Sequence, residues 1–253
     1  VSDWRREYAV WARTSAHQRR VEAASEVFRR AAAVGRVVVS SSWGKDSTAL
    51  CDLAIETLGR IDIMHLASPY GLPGGEHVAE HFASRAQVHV VQASRSLAEY
   101  IEWCRDVGLP HERLPNAQAK AVRSLKIDRA ATWAEEQGFA VRVLGMRADE
   151  SANRRRLYRR RGQLYELATG GWMAAPIAWW TTADTWARIV SRDLPYHRLY
   201  DCETHGITRA TNRNTGWLST DGAHEGRIAW LRAHFPEQYR MLAAEFPQVR
   251  LLA

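Results

Sequence analysis

A short β-branched run, Val37-Val38-Val39, ends in three serines and gives way within a few residues to a segment with apolar positions at helical spacing. The intervening turn contains Gly44, and Ala49, Leu50, Leu53, Ala54 and Leu58 then mark one face of a helix from Asp46 to Leu58, closed by Gly59. An unbroken β-branched strand of this kind suits a parallel sheet buried on both faces. The pattern recurs along the chain. Strands are expected at 61–66, 88–91 and 140–144, and helices at 75–85, 97–107 and 117–137. Alternation of this sort specifies a doubly wound α/β fold with a mainly parallel sheet of about five strands, whose ligands bind at the carboxyl ends of the strands.

Outside that core the spacing is helical. Residues 1–34 read as an amino-terminal helical extension with an interruption near Thr14 to Ala16, residues 35–180 as the core sheet and 181–253 as a carboxyl-terminal helical extension. The later helices are expected at 182–190, 223–234 and 236–245. No repeat or low-complexity linker divides the sequence, so 1–253 reads as a single nucleotide-binding domain.

Apolar runs such as Ala174 to Trp180 fall short of the ~20 residues that span a bilayer. Val1 to Arg20 lacks the apolar core of a signal peptide, and a cytoplasmic protein with no membrane partner is expected. The three cysteines, Cys51, Cys104 and Cys202, lie far apart without metal-ribbon spacing, so neither a disulfide framework nor a four-cysteine iron–sulfur cluster is expected. His65, His77 and His81 lack a firm ligand spacing and read as hydrogen-bonded or solvent-facing.

The net charge of +7 suits an anionic partner. Much of the excess is concentrated in Arg147, Arg154, Arg155, Arg156, Arg159, Arg160 and Arg161, a stretch that could meet a nucleotide's phosphates, DNA or RNA, or only solvent.

The turn itself carries the chemistry. In Ser40-Ser41-Ser42-Trp43-Gly44-Lys45-Asp46-Ser47-Thr48, the amides at the helix start and the positive end of the helix dipole attract phosphate. Gly44 allows close backbone approach, the hydroxyls of Ser42, Ser47 and Thr48 can donate, and Lys45 can follow charge developing on a phosphate. The spacing is not that of a Walker A loop. Asp46 is unexpected beside phosphates unless it caps the helix or helps to hold a magnesium ion. A glycine at a strand end followed by Arg147 puts a guanidinium where the sheet's ligand should lie, and Glu150 could orient it or bind a metal.

Ser42-Trp43-Gly44-Lys45-Asp46-Ser47 resembles the S-x-G-x-D-S PP-loop of ATP pyrophosphatases and of the phosphoadenosine-phosphosulfate (PAPS) reductase family. Trp43 is similar to the reductase branch, whereas Lys45, Asp46 and Ser47 are similar to the ATP-cleaving members. The resemblance continues through Ser124-Leu125-Lys126-Ile127 and through Gly145-Met146-Arg147-Ala148-Asp149-Glu150-Ser151 with Arg154 and Arg155. It extends to Ala175-Pro176-Ile177, Trp180 to Trp186, Leu194-Pro195-Tyr196-His197 and Leu199-Tyr200.

The resemblance implies a Rossmann-like adenine nucleotide alpha hydrolase fold, ATP and Mg2+ as cofactors, and AMP-forming adenylyl transfer. Lys45, Asp46 and Arg147 would then be catalytic, and Asp46 would help to hold Mg2+. The loop from Ser40 to Thr48, with Lys126, Gly145 and Arg147, would bind the nucleotide. Glu150, Arg154, Arg155, Cys202 and His205 are candidates for contact with a second substrate. The chain also resembles the DNA phosphorothioation and sulfurtransferase branch without its cysteine cluster, which implies a separate sulfur-donor protein; a homo-oligomer is also open.

The sequence departs from the reductase pattern in having no cysteine after Cys202, and from the D-T-G pattern after the second strand, where it has Ala67-Ser68-Pro69. Cys202 with His205 would be an activated thiol only if a base or positive charge made it a thiolate. Two alternatives to adenylyl transfer stay open: a sulfonucleotide reductase or sulfotransferase, and a nucleotide- or nucleic-acid-binding module without turnover.

Overall fold

The computed structural model describes residues 3–94, 96–107, 129–218 and 226–252. The chain begins with helices α1 (Trp4–Ala12) and α2 (Ser15–Val34), then β1 (Val37–Ser41), α3 (Lys45–Leu58), β2 (Asp62–Ala67), α4 (Glu76–Ala83), β3 (Gln87–Gln92) and α5 (Leu97–Val107). After α6, described over residues 129–136, come β4 (Val141–Leu144), α7 (Ala152–Arg161), β5 (Leu164–Glu166), β6 (Trp172–Ala174), α8 (Thr182–Ser191), α9 (Arg227–His234) and α10 (Pro236–Glu245). The expected helix at 117–137 is observed over 129–136, and its earlier residues, Lys126 among them, lie outside the described residues.

The strands form one sheet in the order β3-β2-β1-β4-β6-β5. β1 runs parallel to β2 and to β4, and β4 parallel to β6, while β5 and β6 pair antiparallel. This is the expected α/β class, with six strands where about five were anticipated. The extra strand comes from the β5–β6 hairpin, whose three-residue strands are too short to show a period in sequence. Its turn closes at Gly170 and Gly171, with φ of 91° and 72°. At the centre of the sheet Val39 lies in register with Ile63 on one side and Val143 on the other, and all three are fully buried. The run of valines therefore reflects burial on both faces.

The chain divides into two compact units. The first comprises Val1–Leu66, Gly75–Val91 and Thr132–His197, and contains the central strands, α1 to α4, α7 and α8. Within it the break anticipated near Thr14 is a true helix boundary, because the Thr14 hydroxyl accepts the His17 amide at 3.2 Å and starts α2. α1 packs on α8 through an aromatic cluster in which Trp4 lies 5.5 Å from Trp186 and 6.1 Å from Tyr196, centroid to centroid.

The same junction is closed by charge. Asp184, fully buried on α8, accepts Trp11 Nε1 at 2.9 Å, His17 Nδ1 at 3.1 Å and Arg20 Nη1 at 2.7 Å. It also accepts the Thr181 amide at 2.7 Å, and the Thr181 hydroxyl in turn receives the Asp184 amide, a reciprocal cap on the first turn of α8. Burial alone would raise the Asp184 carboxyl, but hydrogen bonds from His17, Thr181 and Trp11 outweigh it and hold the group well below the usual carboxylate range.

The second unit comprises Ala67–Gly74, Gln92–Ala131 and Arg198–Ala253. Trp230, Phe235, Leu242 and Val249 are its buried apolar residues around α9 and α10, and Arg105 pairs with Glu245 at its surface. Arg227 is buried there over the Trp230 ring at 4.0 Å and donates to Asn212 and Thr215, with burial lowering its pKa to about 10. Among the described residues no helix is long and apolar enough to cross a membrane.

Candidate functional site

The loop between β1 and α3 lies at the carboxyl end of the central strand. Gly44, not Asp46, is the N-cap of α3, and the Thr48 amide makes its first helical bond to the Gly44 carbonyl at 2.9 Å. The amides of Asp46 and Ser47 precede that bond, at the positive end of a fourteen-residue helix. Asp46 thus sits inside the first turn, and its carboxylate is free to serve tertiary contacts.

The loop is braced internally. The Ser42 amide donates to Ser47 Oγ at 3.3 Å, Ser47 Oγ donates to the Gly44 carbonyl at 3.0 Å, and the Trp43 amide donates to Ser41 Oγ at 3.2 Å. Trp43 adopts a left-handed φ of 56°, a conformation that costs a non-glycine residue about 1 kcal/mol or more. The residue is only 6% exposed, its indole stacked 6.2 Å from Phe82 and tilted against His65 at 5.2 Å. Burial of this ring holds the strained turn, so Trp43 can serve a ligand through its backbone rather than its face. The hydroxyls of Ser40 and Thr48 are buried without a hydrogen-bond partner among the described residues. Such orphaned donors are uncommon in folded proteins.

A charged cluster stands against the loop. Lys45, 2% exposed, places Nζ 3.3 Å from Asp46 Oδ2. Asp46 Oδ1 receives the Thr185 hydroxyl at 2.9 Å and lies 2.9 Å from Arg147 Nε, an ion pair whose N–H points off the oxygen rather than along a hydrogen bond. Arg147, 4% exposed, directs Nη1 to Asp149 at 3.1 Å and to Thr182 Oγ1 at 3.0 Å. Its Nη2 makes no hydrogen bond with any described residue, which leaves one face of the guanidinium for an anion.

The backbone makes this proximity possible. A side chain at Gly145 would put its Cβ 3.3 Å from the Asp46 carbonyl carbon and the Ser47 nitrogen, a tight contact that glycine avoids where the end of β4 backs onto the start of α3. Glu150 folds back to accept the Arg147 amide at 3.1 Å and pairs with Arg154. The structure therefore joins Lys45, Asp46, Arg147, Glu150 and Arg154 in one region, and turns Arg155 outward on α7.

Thr182 and Thr185 complete the cluster, and no role was assigned to them from sequence. The available signal was the T-x-x-D cap at Thr181 to Asp184, which fixes the helix start and puts two threonines a turn apart on one face. His65 was also passed over as a site neighbour. Its Nδ1 lies 2.9 Å from the Ser41 carbonyl, an acceptor only, so that nitrogen carries the proton; burial lowers the ring's pKa against a smaller rise from this bond.

Cys202 and His205 belong to the second unit. Cys202 Sγ donates to the Arg198 carbonyl at 3.6 Å, and burial pushes its thiol up, against a smaller lowering by Arg198. No contact joins Cys202 to His205 among the described residues, so nothing here makes a thiolate of it. Cys51 and Cys104 are buried, with thiols pushed to about 12. His77 is tied to the Tyr196 carbonyl, and His81 lies beside Arg85.

Residues 36–212 match the family model for the phosphoadenosine phosphosulfate reductase domain. A phosphoadenosine 5'-phosphosulfate reductase of Gloeobacter violaceus is 26% identical over 178 residues, covering 66% of each chain, so the match spans just under two thirds of that relative. Among solved structures, the phosphoadenylyl-sulfate (PAPS) reductase of Candida auris, in a phosphate complex, superposes with a TM-score of 0.55 at 16% identity, over 78% of this chain and 89% of that one. A variant of Candida glabrata FMN adenylyltransferase gives a TM-score of 0.51 at 12% identity, over 80% of this chain and 67% of its own. These two likenesses speak to the Rossmann-like fold alone. With the loop, the arginine after β4 and the matched span taken together, the chain belongs to the phosphoadenosine phosphosulfate reductase domain family, within the PP-loop superfamily.

Proposed function

We propose that this protein binds ATP with its phosphates on the loop from Ser41 to Thr48 and transfers AMP to an oxygen of a second substrate. The acceptor oxygen forms a bond to the α-phosphorus, the bond from that phosphorus to the bridging oxygen breaks, and the electron pair leaves with pyrophosphate. A sulfur or nitrogen nucleophile can then bond to the carbon that bears the activated oxygen, and as that C–O bond breaks its electron pair and the oxygen leave as AMP. The observation that carries this reading is the cluster at the helix start, in which Lys45 leans on Asp46 while Thr185 and Arg147 hold that carboxylate from the other side.

In this scheme Lys45 leaves Asp46 for the departing phosphates, the amides at the start of α3 donate to the same oxygens, and Arg147 Nη2 faces the anionic centre. Magnesium fits only as an ion brought in with the phosphates, since Asp46 is the sole carboxylate on the loop and its Oδ1 is already engaged. Asp46 Oδ2 would hold it once Lys45 has moved, and the ion would neutralise phosphate charge. The protein's own residues bind and orient.

The second reading, reduction of a sulfonucleotide, is favoured by the family and by the likeness to the phosphoadenosine 5'-phosphosulfate reductase of Gloeobacter violaceus. It requires a thiolate, and burial pushes all three thiols of this sequence up.

Pyrophosphate release from ATP, screened across carboxylate, amide and nucleic-acid acceptors, tests the proposal. Lys45→Ala and Asp46→Asn should lower the rate about 100-fold or more while both variants stay folded. Sulfite released from PAPS and lost in Cys202→Ala would establish the rival. Tight nucleotide binding without pyrophosphate from any acceptor would reduce the protein to a binding module.

A further inference from the structure

Helix α7 has the sequence A-N-R-R-R-L-Y-R-R-R, with no acidic residue from Ser151 to Gly162. At 3.6 residues per turn, Tyr158 and Leu157 face the body of the protein, and Arg155, Arg156, Arg159 and Arg160 share an outward arc of about 140°. All four are exposed. The flanking arginines are occupied: Arg154 pairs with Glu150, and Arg161 donates to the Glu166 carbonyl and lies 4.7 Å over the Tyr165 ring. Arg156 donates Nη2 to Asn153 Oδ1 at 3.1 Å and Nε to the Ala152 carbonyl at 3.4 Å. The guanidinium groups of Arg155, Arg159 and Arg160 engage no hydrogen-bond acceptor or carboxylate among the described residues.

Such a helix works against itself. Arg155 with Arg159, and Arg156 with Arg160, are like charges one turn apart, each pair destabilising the isolated helix by a few tenths of a kcal/mol. Packing of Tyr158 and Leu157 keeps the helix in place, and an external polyanion would turn the repulsion into binding.

We propose that this outward face of α7 docks the sugar-phosphate backbone of a single-stranded nucleic acid. Guanidinium forks match phosphate oxygens bidentately, and two rows one turn apart suit a linear chain of phosphates better than one small anion. Within the arc the only apolar side chain is the methyl of Ala152, too little for the apolar face that an interfacial helix buries in a bilayer, which disfavours a membrane surface. The preference for a single strand rests on Trp179, a tryptophan 42% exposed, whose ring stands edge-on 6.5 Å from Tyr158 of the same helix. An exposed indole beside a basic helix offers a stacking face to an unpaired base. This inference is independent of the nucleotide loop.

The test is the anisotropy of a labelled oligothymidine of about 20 nucleotides titrated with the full chain over a range of salt. Wild type should bind with a steep salt dependence, and Arg155→Ala/Arg159→Ala/Arg160→Ala should bind at least tenfold more weakly with a log–log salt slope shallower by about 2, at roughly 0.7 per lost phosphate contact. Trp179→Ala should weaken binding about 5- to 100-fold at an unchanged slope. Circular dichroism verifies that each variant is folded. Unchanged affinity and slope in the folded triple variant would overturn the proposal, as would binding confined to anionic vesicles. Equal binding of a duplex, with no effect of Trp179→Ala, would overturn the single-strand assignment.

Discussion

Replacing Asp184 with alanine should destabilise the fold severely, although Asp184 touches no ligand site. Its carboxylate receives Trp11, His17, Arg20 and Thr181, and its side chain is fully buried. Removing it strands the Trp11 and His17 N–H groups and the Thr181 amide, and undoes the cap on α8. Losing one partner of a buried ionic network costs about 3–5 kcal/mol. For a chain of this length that corresponds to a fall in Tm of roughly 6–20 °C.

Arg20→Ala should cost only about 1 kcal/mol, because that side chain is 36% exposed and gains correspondingly little from the pair. Urea unfolding followed by tryptophan fluorescence is a direct assay, with Trp11 and Trp180 near the change. The damage should reach the site too, since α8 presents Thr182 to Arg147 and Thr185 to Asp46. A sign argument adds a control. The folded carboxyl of Asp184 is held low, so its contribution is complete above the ordinary carboxylate pKa of about 4 and is lost as pH falls through the folded value. Asp184→Asn should therefore flatten the acid limb of the stability curve. A Tm within about 2 °C of wild type for Asp184→Ala, or an equal loss in Arg20→Ala, would refute the reasoning.

Thr185→Val should cost about 1.5 kcal/mol of stability or more and lower pyrophosphate formation roughly tenfold by loosening Asp46 Oδ1, on the scale of a hydrogen bond to a charged group, with Thr185→Ser restoring both. His65 has its pKa lowered by burial, so its share of stability is present above the ordinary value of 6.5 and fades as pH falls through the folded value; His65→Gln should flatten the urea midpoint over that range. Thiol titration with an aromatic disulfide at mild alkaline pH should modify Cys202 first and reach Cys51 and Cys104, pushed to about 12, only on unfolding. Gly145→Val should crowd the start of α3 and weaken nucleotide binding, at a cost of about 1–3 kcal/mol, as measured by calorimetry and thermal unfolding.

The strand-turn-helix at Val37 to Leu58 was legible because burial on both faces and the helix period each leave a mark on single residues. So was the break at Thr14, a side-chain cap. Helix α7 went unread, since six arginines in ten residues overwhelm any apolar stripe and only Leu157 and Tyr158 show its inner side. The β5–β6 hairpin was too short for a period of two to register. At the site, the residue types of the loop pointed to phosphate, and of the two readings left open for Asp46, a helix cap or a magnesium ligand, the first is set aside because Gly44 is the cap. Sequence order cannot show that a carboxylate one turn into α3 meets Arg147 and Thr185, which lie far along the chain. Closeness of Cys202 and His205 in sequence is weak evidence of a pair, and no hydrogen bond joins them among the described residues, where His205 takes a left-handed φ of 50°.

Crystals of the wild-type protein soaked with ATP and magnesium probe the central claim most directly. The β and γ phosphates should lie within about 3 Å of the amides that open α3, with Lys45 Nζ drawn off Asp46 and Arg147 Nη2 turned to the same anion. Phosphates seated elsewhere, with the loop still closed by its own side chains at saturating nucleotide, would contradict it.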